Sequence, residues 1–212
     1  MTAILPFLEI YMIIDQPVYQ KGITGSYRKS SRKLAFKNMS IQLKNAVTKL
    51  DHILGIKTAH IELLEYGDFQ CSSCGDSYWA VKNAIRELGD SLYFVFRNFP
   101  LTDIHPDAFD AALAAEAAAL QNKFWEMYNL LFQNQANLKG YELFGYAKKI
   151  GLYMERFEQD IQSQKLISKI ENEMEGGLKR GVSGTPTFYI NGEKYEEDWE
   201  NDELILYLKT LK

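Results

Sequence analysis

The apolar and polar positions of this chain fall into three successive rhythms. Residues 59–69, AHIELLEYGDF, make a short apolar run that closes at Gly67-Asp68, which predicts a buried strand. From Cys74 the spacing changes. Cys74, Tyr78, Val81, Ile85 and Leu88 share one face at helical period, and Gly89 is placed to end that helix. Residues 91–99, SLYFVFRNF, are rich in aromatics and bounded by Pro100, which predicts a second strand. Residues 105–180 then read as almost wholly helical. Pro106 suits a first helical turn, AFDAALAAEAAAL is dense enough in alanine for close helix approach, and KFWEMYNLLF is amphipathic. YELFGYAKKIG, MERFEQDIQS and KLISKIENEMEGGLKRG follow as further helical segments. Residues 184–195, GTPTFYINGEKY, return to a β pattern, and Asn191-Gly192 signals a two-residue hairpin. A last helix spans roughly residues 200–211. The predicted order is strand, helix, strand, helical block, hairpin, helix.

The first 50 residues differ from the rest. They carry eight Lys/Arg against two Asp/Glu, whereas the remainder carries sixteen against twenty-six, within a net charge of -4. We expect residues 1–50 to be a basic, poorly structured or helical extension of an acidic domain. Residues 1–38 show no clean period, while MSIQLKNAVTKLDHILG, opening at Met39, has helical spacing. Met39 is therefore an alternative start. MTAILPFLEIYMIID lacks leading basic residues, and Pro6 and Glu9 interrupt its apolar run, which argues against a secretory signal. With no membrane-length apolar run either, the expected location is cytoplasmic.

Composition adds bounds. With 46% hydrophobic and 25% charged residues, the chain has material for a sizeable core. Its net negative charge does not suggest nucleic acid or an anionic membrane as partner. No glycine-rich phosphate loop is present, so no nucleotide cofactor is implied, and none of any other kind is expected.

The chemistry sits in EYGDFQCSSCGDSYW, residues 65–79, which holds both cysteines of the chain, Cys71 and Cys74. They are a reactive pair, half a metal site, or two buried apolar side chains. A structural zinc needs four ligands, and neither a second CxxC nor a suitable pair of histidines accompanies this one, so no metal is expected. The strand-before, helix-after context favours redox chemistry. A sulfur at a helix N-terminus meets unpaired N–H groups, here those of Ser73 and Cys74, which favour the thiolate. Cys74, one turn on, begins the apolar face. One exposed acidic thiol beside one buried thiol is what thiol–disulfide exchange needs. Tyr78 and Trp79 read as core, and His105 as a capping or packing residue. The acidic run GEKYEEDWENDE reads as solvated surface.

EYGDFQCSSC resembles the active-site entry of thioredoxin-fold proteins, and GVSGTPTFYING resembles their opposing loop. The helical block between them, with FRNFPLTDIHP and KFWEMYNLLF, resembles the insertion of DsbA-like oxidoreductases. The resemblance covers residues 51–212 and implies an α/β thioredoxin-like fold with an inserted α-helical domain at about 101–180. It implies that Cys71 is the nucleophile and Cys74 the resolving cysteine. It further implies that Pro186 is a cis proline and that Thr185 presents its backbone to an extended substrate. Glu65, six residues before Cys71, matches an acidic residue that takes the proton of the resolving thiol. The implied function is dithiol–disulfide exchange on protein or small-molecule thiols and disulfides. Ser72-Ser73 departs from Gly-Pro and Pro-His in better-known members, and we expect these hydroxyls to tune the thiolate less strongly than a histidine does, leaving Cys71 less acidic than in a strong oxidant. The alternatives are a non-catalytic binding module and a glutathione-linked transferase or isomerase on the same scaffold.

Overall fold

The computed structural model describes residues 47–212. The Met39 start and most of the expected extension lie outside the described residues. Strand β2, Ile61–Gly67, is central and almost continuously apolar, as suits a strand covered on both faces. It runs parallel to β3, Leu92–Asn98, and antiparallel to β4, Thr187–Ile190. Helix α1, Ser72–Leu88, joins β2 to β3 and ends at Gly89, whose φ is 52°. β4 turns through Asn191 and Gly192, with φ of 50° and 84°, into β5, Glu193–Lys194. Both positive φ values are those the hairpin signal demands. The sheet order is β1-β3-β2-β4-β5.

Strand β1, His52–Gly55, corrects the sequence reading, which carried a helical pattern through these residues. Ile53 and Leu54 pair with Val95 and Phe94 on the free edge of β3. Just before them, Asp51 takes a two-pronged bond from Arg97, at 2.6 and 2.9 Å. Tertiary pairing overrides a weak local helical period here. His52 opens this strand and belongs to the domain. It stacks on Phe124 with ring centroids 3.5 Å apart and bonds Glu116 at 2.9 Å.

The helical block resolves into α2 (Ala108–Ala119), α3 (Phe124–Gln133), α4 (Gly140–Lys149), α5 (Met154–Asp160) and α6 (Gln164–Lys179). The alanines of α2 are buried along nearly its whole length. Helix α7, Glu203–Thr210, closes the chain and packs on α1, with Lys209 bonded to Glu87. Among the described residues, no helix is long and apolar enough to cross a membrane.

Alternation along β2 divides the core. Ile61 and Leu63 face the large cluster beneath α1 and the insertion, while Leu64 and Tyr66 face a smaller one with Phe99 and Val182. Glu65 and Gly67 lie on the first face, since Glu65 pairs with Phe96 and Phe188. Gly67 is required by its neighbour: a Cβ there would meet the Phe96 ring at 2.4 Å and Glu65 Oε1 at 3.3 Å. Gly67→Ala is expected to lower the urea midpoint with little change in slope, at a cost of about 2 kcal/mol.

Candidate functional site

The β2–α1 junction brings the predicted residues together. Cys71 is the N-cap of α1, in extended conformation, and Cys74 begins the buried face one turn later. Both thiols are free. Pro186 follows a cis peptide bond, and its partner Thr185 faces the cysteines: Cys71 Sγ lies 3.3 Å from Thr185 O. The Thr185 hydroxyl is buried without another hydrogen-bond partner, so it can donate to the ionised sulfur. The Asp68 N–H donates to Cys74 Sγ at 3.4 Å.

The two sulfurs are held in opposite states. The Cys74 thiol donating to Cys71 is the largest influence pulling the Cys71 thiol down from its usual 9.0 to about 5. The Thr185 hydroxyl and the Cys74 backbone N–H act in the same direction, against burial and the Asp68 charge. Cys74 is pushed well above the usual thiol range, first by burial and then by that same bond to Cys71. One sulfur is favoured as the thiolate, the reactive form of cysteine, and the other is held protonated beside it.

Ser72 and Ser73 are both exposed, and neither is among the groups that shift Cys71. The hydroxyls expected to tune the thiolate are thus replaced in that role by Cys74 and Thr185. The Thr185 side chain was not legible as a ligand of the sulfur. Trp79 is also a correction, since it is 58% exposed while Tyr78 is buried. It sits one residue, about 100°, off the apolar face.

Glu65 is fully buried on β2, under α1. The Ser77 hydroxyl donates to Oε1 at 2.8 Å, while Oε2 has no partner. Burial, which outweighs the Ser77 bond, and secondarily the Cys71 charge, push its carboxyl up to about 8. Glu65 in turn raises the Cys74 thiol. Ser77 was missed in the sequence, although it falls on the buried face one turn beyond Cys74.

Residues from the insertion hold the loop. Gln135 Nε2 donates to Phe69 O at 2.9 Å and Cys71 O at 2.8 Å, in space that Gly75 leaves open by lacking a Cβ. His105 bonds the buried Asp68 carboxylate at 2.7 Å rather than capping a helix.

Comparison with known proteins agrees with this geometry. The chain is 39% identical over 162 residues to the Na(+)/H(+) antiporter NhaA 1 of Mycolicibacterium vanbaalenii, a match covering 76% of this chain and 26% of the antiporter. The chain thus spans about a quarter of the curated relatives it matches. It superimposes on a thioredoxin-like oxidoreductase from Silicibacter pomeroyi with a TM-score of 0.67 and 19% identity, covering 78% of this chain and 95% of that one. BdbD from Bacillus subtilis gives a TM-score of 0.66 and 22% identity, covering 76% and 92%. The thioredoxin family model matches residues 47–210. The fold expected from the motifs, a thioredoxin-like fold with a helical insertion, is borne out, and the chain belongs to the thioredoxin family.

Proposed function

We propose that the chain catalyses dithiol–disulfide exchange on protein or small-molecule thiols through Cys71 and Cys74. The observation that carries this reading is the Cys71 sulfur at a helix N-terminus, bonded by Cys74 and facing Thr185 beside the cis Pro186. In the reducing direction, the Cys71 thiolate attacks a substrate disulfide and forms a mixed disulfide, releasing one substrate thiolate. Cys74 then gives up its proton to the Glu65 carboxylate and attacks Cys71 Sγ, releasing the second thiolate and leaving the Cys71–Cys74 disulfide. In the oxidising direction, a substrate thiolate attacks Cys71 Sγ and expels Cys74, which recovers its proton from Glu65. A carboxyl titrating at about 8 serves both directions near neutrality. The glutathione-linked alternative needs a single thiol and leaves Cys74, Glu65 and Ser77 without a task.

The test is the reduction potential, measured by equilibrating the protein in glutathione buffers and mass-tagging free thiols. A thiol at about 5 lies between those of thioredoxin, about 7, and DsbA, about 3.5. The expected potential therefore lies between about -270 and about -120 mV. Failure to form an intramolecular disulfide at any ratio would sink the proposal.

A further inference from the structure

Asp68 is a buried carboxylate three residues before the nucleophile, at the point where β2 gives way to the active-site loop. Its backbone touches both cysteines: its carbonyl accepts the Cys71 N–H at 3.2 Å, and its N–H donates to Cys74 Sγ at 3.4 Å. Its side chain is occupied by donors. Oδ1 accepts the Gln70 N–H at 2.7 Å; Oδ2 accepts the Leu101 N–H at 2.8 Å and lies 2.7 Å from His105 Nδ1. A carboxylate oxygen in that position requires the proton on His105 Nδ1. The His105 side chain is 21% exposed, so solvent reaches the ring.

The neighbouring charges are few. Asp107 reaches the same loop through Gln70, which donates to its carboxylate at 3.1 Å and accepts its N–H at 2.7 Å. Glu65 faces the cysteines from β2. Glu65 and Cys71 repel each other, and Asp68 is a carboxylate that likewise works against the Cys71 thiolate. His105 is the side chain positioned both to hold that carboxylate and to offset it.

We propose that His105 is a positioning residue for the exchange reaction: through Asp68 it clamps the loop carrying Cys71 to the start of the helical insertion, and it shields the Cys71 sulfur from the Asp68 charge. The proposal rests on the exchange reading for its consequence, but its primary readout does not. That readout is the pH titration of Cys71, followed by ultraviolet thiolate absorbance on the full chain with Cys74 present.

His105→Ala is expected to move the Cys71 midpoint upward by about one pH unit, which lowers the thiolate fraction at pH 6 about two-fold. Asp68→Asn is expected to move the midpoint downward. In the Asp68→Asn background, His105→Ala is expected to have no further effect, because the charge it offsets is gone. An unchanged midpoint in His105→Ala, or an equal shift with and without Asp68, overturns the proposal. If His105→Ala loses its circular dichroism signal, His105→Asn replaces it, because the amide keeps an N–H for Asp68 but carries no charge. A midpoint above the parent's then supports the proposal, and an unchanged one overturns it. Should the parent form no disulfide in glutathione while these shifts occur, the exchange reading fails and the clamp and shielding of Cys71 by His105 through Asp68 stand.

Discussion

Cys71→Ser is expected to lower turnover of a disulfide substrate by at least about a thousand-fold with the fold intact, whereas Cys74→Ser is expected to trap substrate as a mixed disulfide. The two differ because the sulfurs differ. Cys71, titrating at about 5, is largely thiolate at pH 7. A serine hydroxyl there is neither ionised nor able to form the sulfur–sulfur bond. Cys74 is buried and held protonated, and a serine hydroxyl in its place can still donate to the Cys71 thiolate, so the substitution leaves the first attack available and blocks the resolution. The same change alters stability. The Cys71 thiol is depressed on folding from its usual 9.0 to about 5, so it stabilises the reduced protein fully above pH 9. That contribution is lost as pH falls through 5. Cys71→Ser should therefore match the reduced parent more closely in urea midpoint at pH 5 than at pH 8. Retained turnover in Cys71→Ser, or no mixed disulfide by intact mass in Cys74→Ser, would contradict this assignment of roles.

The parts of the site that were legible are those that local pattern specifies. A buried strand closing at Gly67-Asp68, followed by helical spacing from Cys74, places Cys71 at a helix start without further information. Asn191-Gly192 likewise specifies its own turn. Pro186 was legible through its motif. What escaped are contacts between residues far apart in the chain. His105 and Asp68 are separated by 37 positions, and Gln135 and Cys71 by 64. No periodicity encodes such pairs, because each depends on where the insertion returns over the active-site loop. β1 escaped for a related reason: its four residues gain their conformation from the edge of β3. Ser77 and Trp79 are different. Helical geometry puts Ser77 with Cys74 on the buried face and turns Trp79 away from it, so a stricter count along α1 recovers both.

Glu65→Gln is expected to remove the Glu65 contribution to the pH dependence of stability and to remove the pH dependence of cysteine resolution. The Glu65 carboxyl is raised on folding from 4.5 to about 8, chiefly by burial. A raised carboxyl contributes stability that is complete below pH 4.5 and is lost as pH rises through 8. Above pH 8 the folded protein bears a buried charge costing on the order of 4 kcal/mol. Glutamine does not titrate, so the variant avoids that cost. Its amide oxygen can keep the Ser77 bond, but its NH₂ falls where Glu65 Oε2 has no partner, which costs about 1–3 kcal/mol. The variant should therefore be less stable than the parent at pH 4 and more stable at pH 9, so the two urea-midpoint curves should cross. Catalysis should move the other way. The amide neither takes the Cys74 proton nor returns it, so resolution of the mixed disulfide should slow about 10- to 100-fold at pH 8. Quenched-flow trapping of the mixed disulfide reads that step directly. Curves that run parallel from pH 4 to 9 would place the titration on another group. Crossed curves with an unchanged resolving rate would leave Glu65 a buried acid with no part in the exchange.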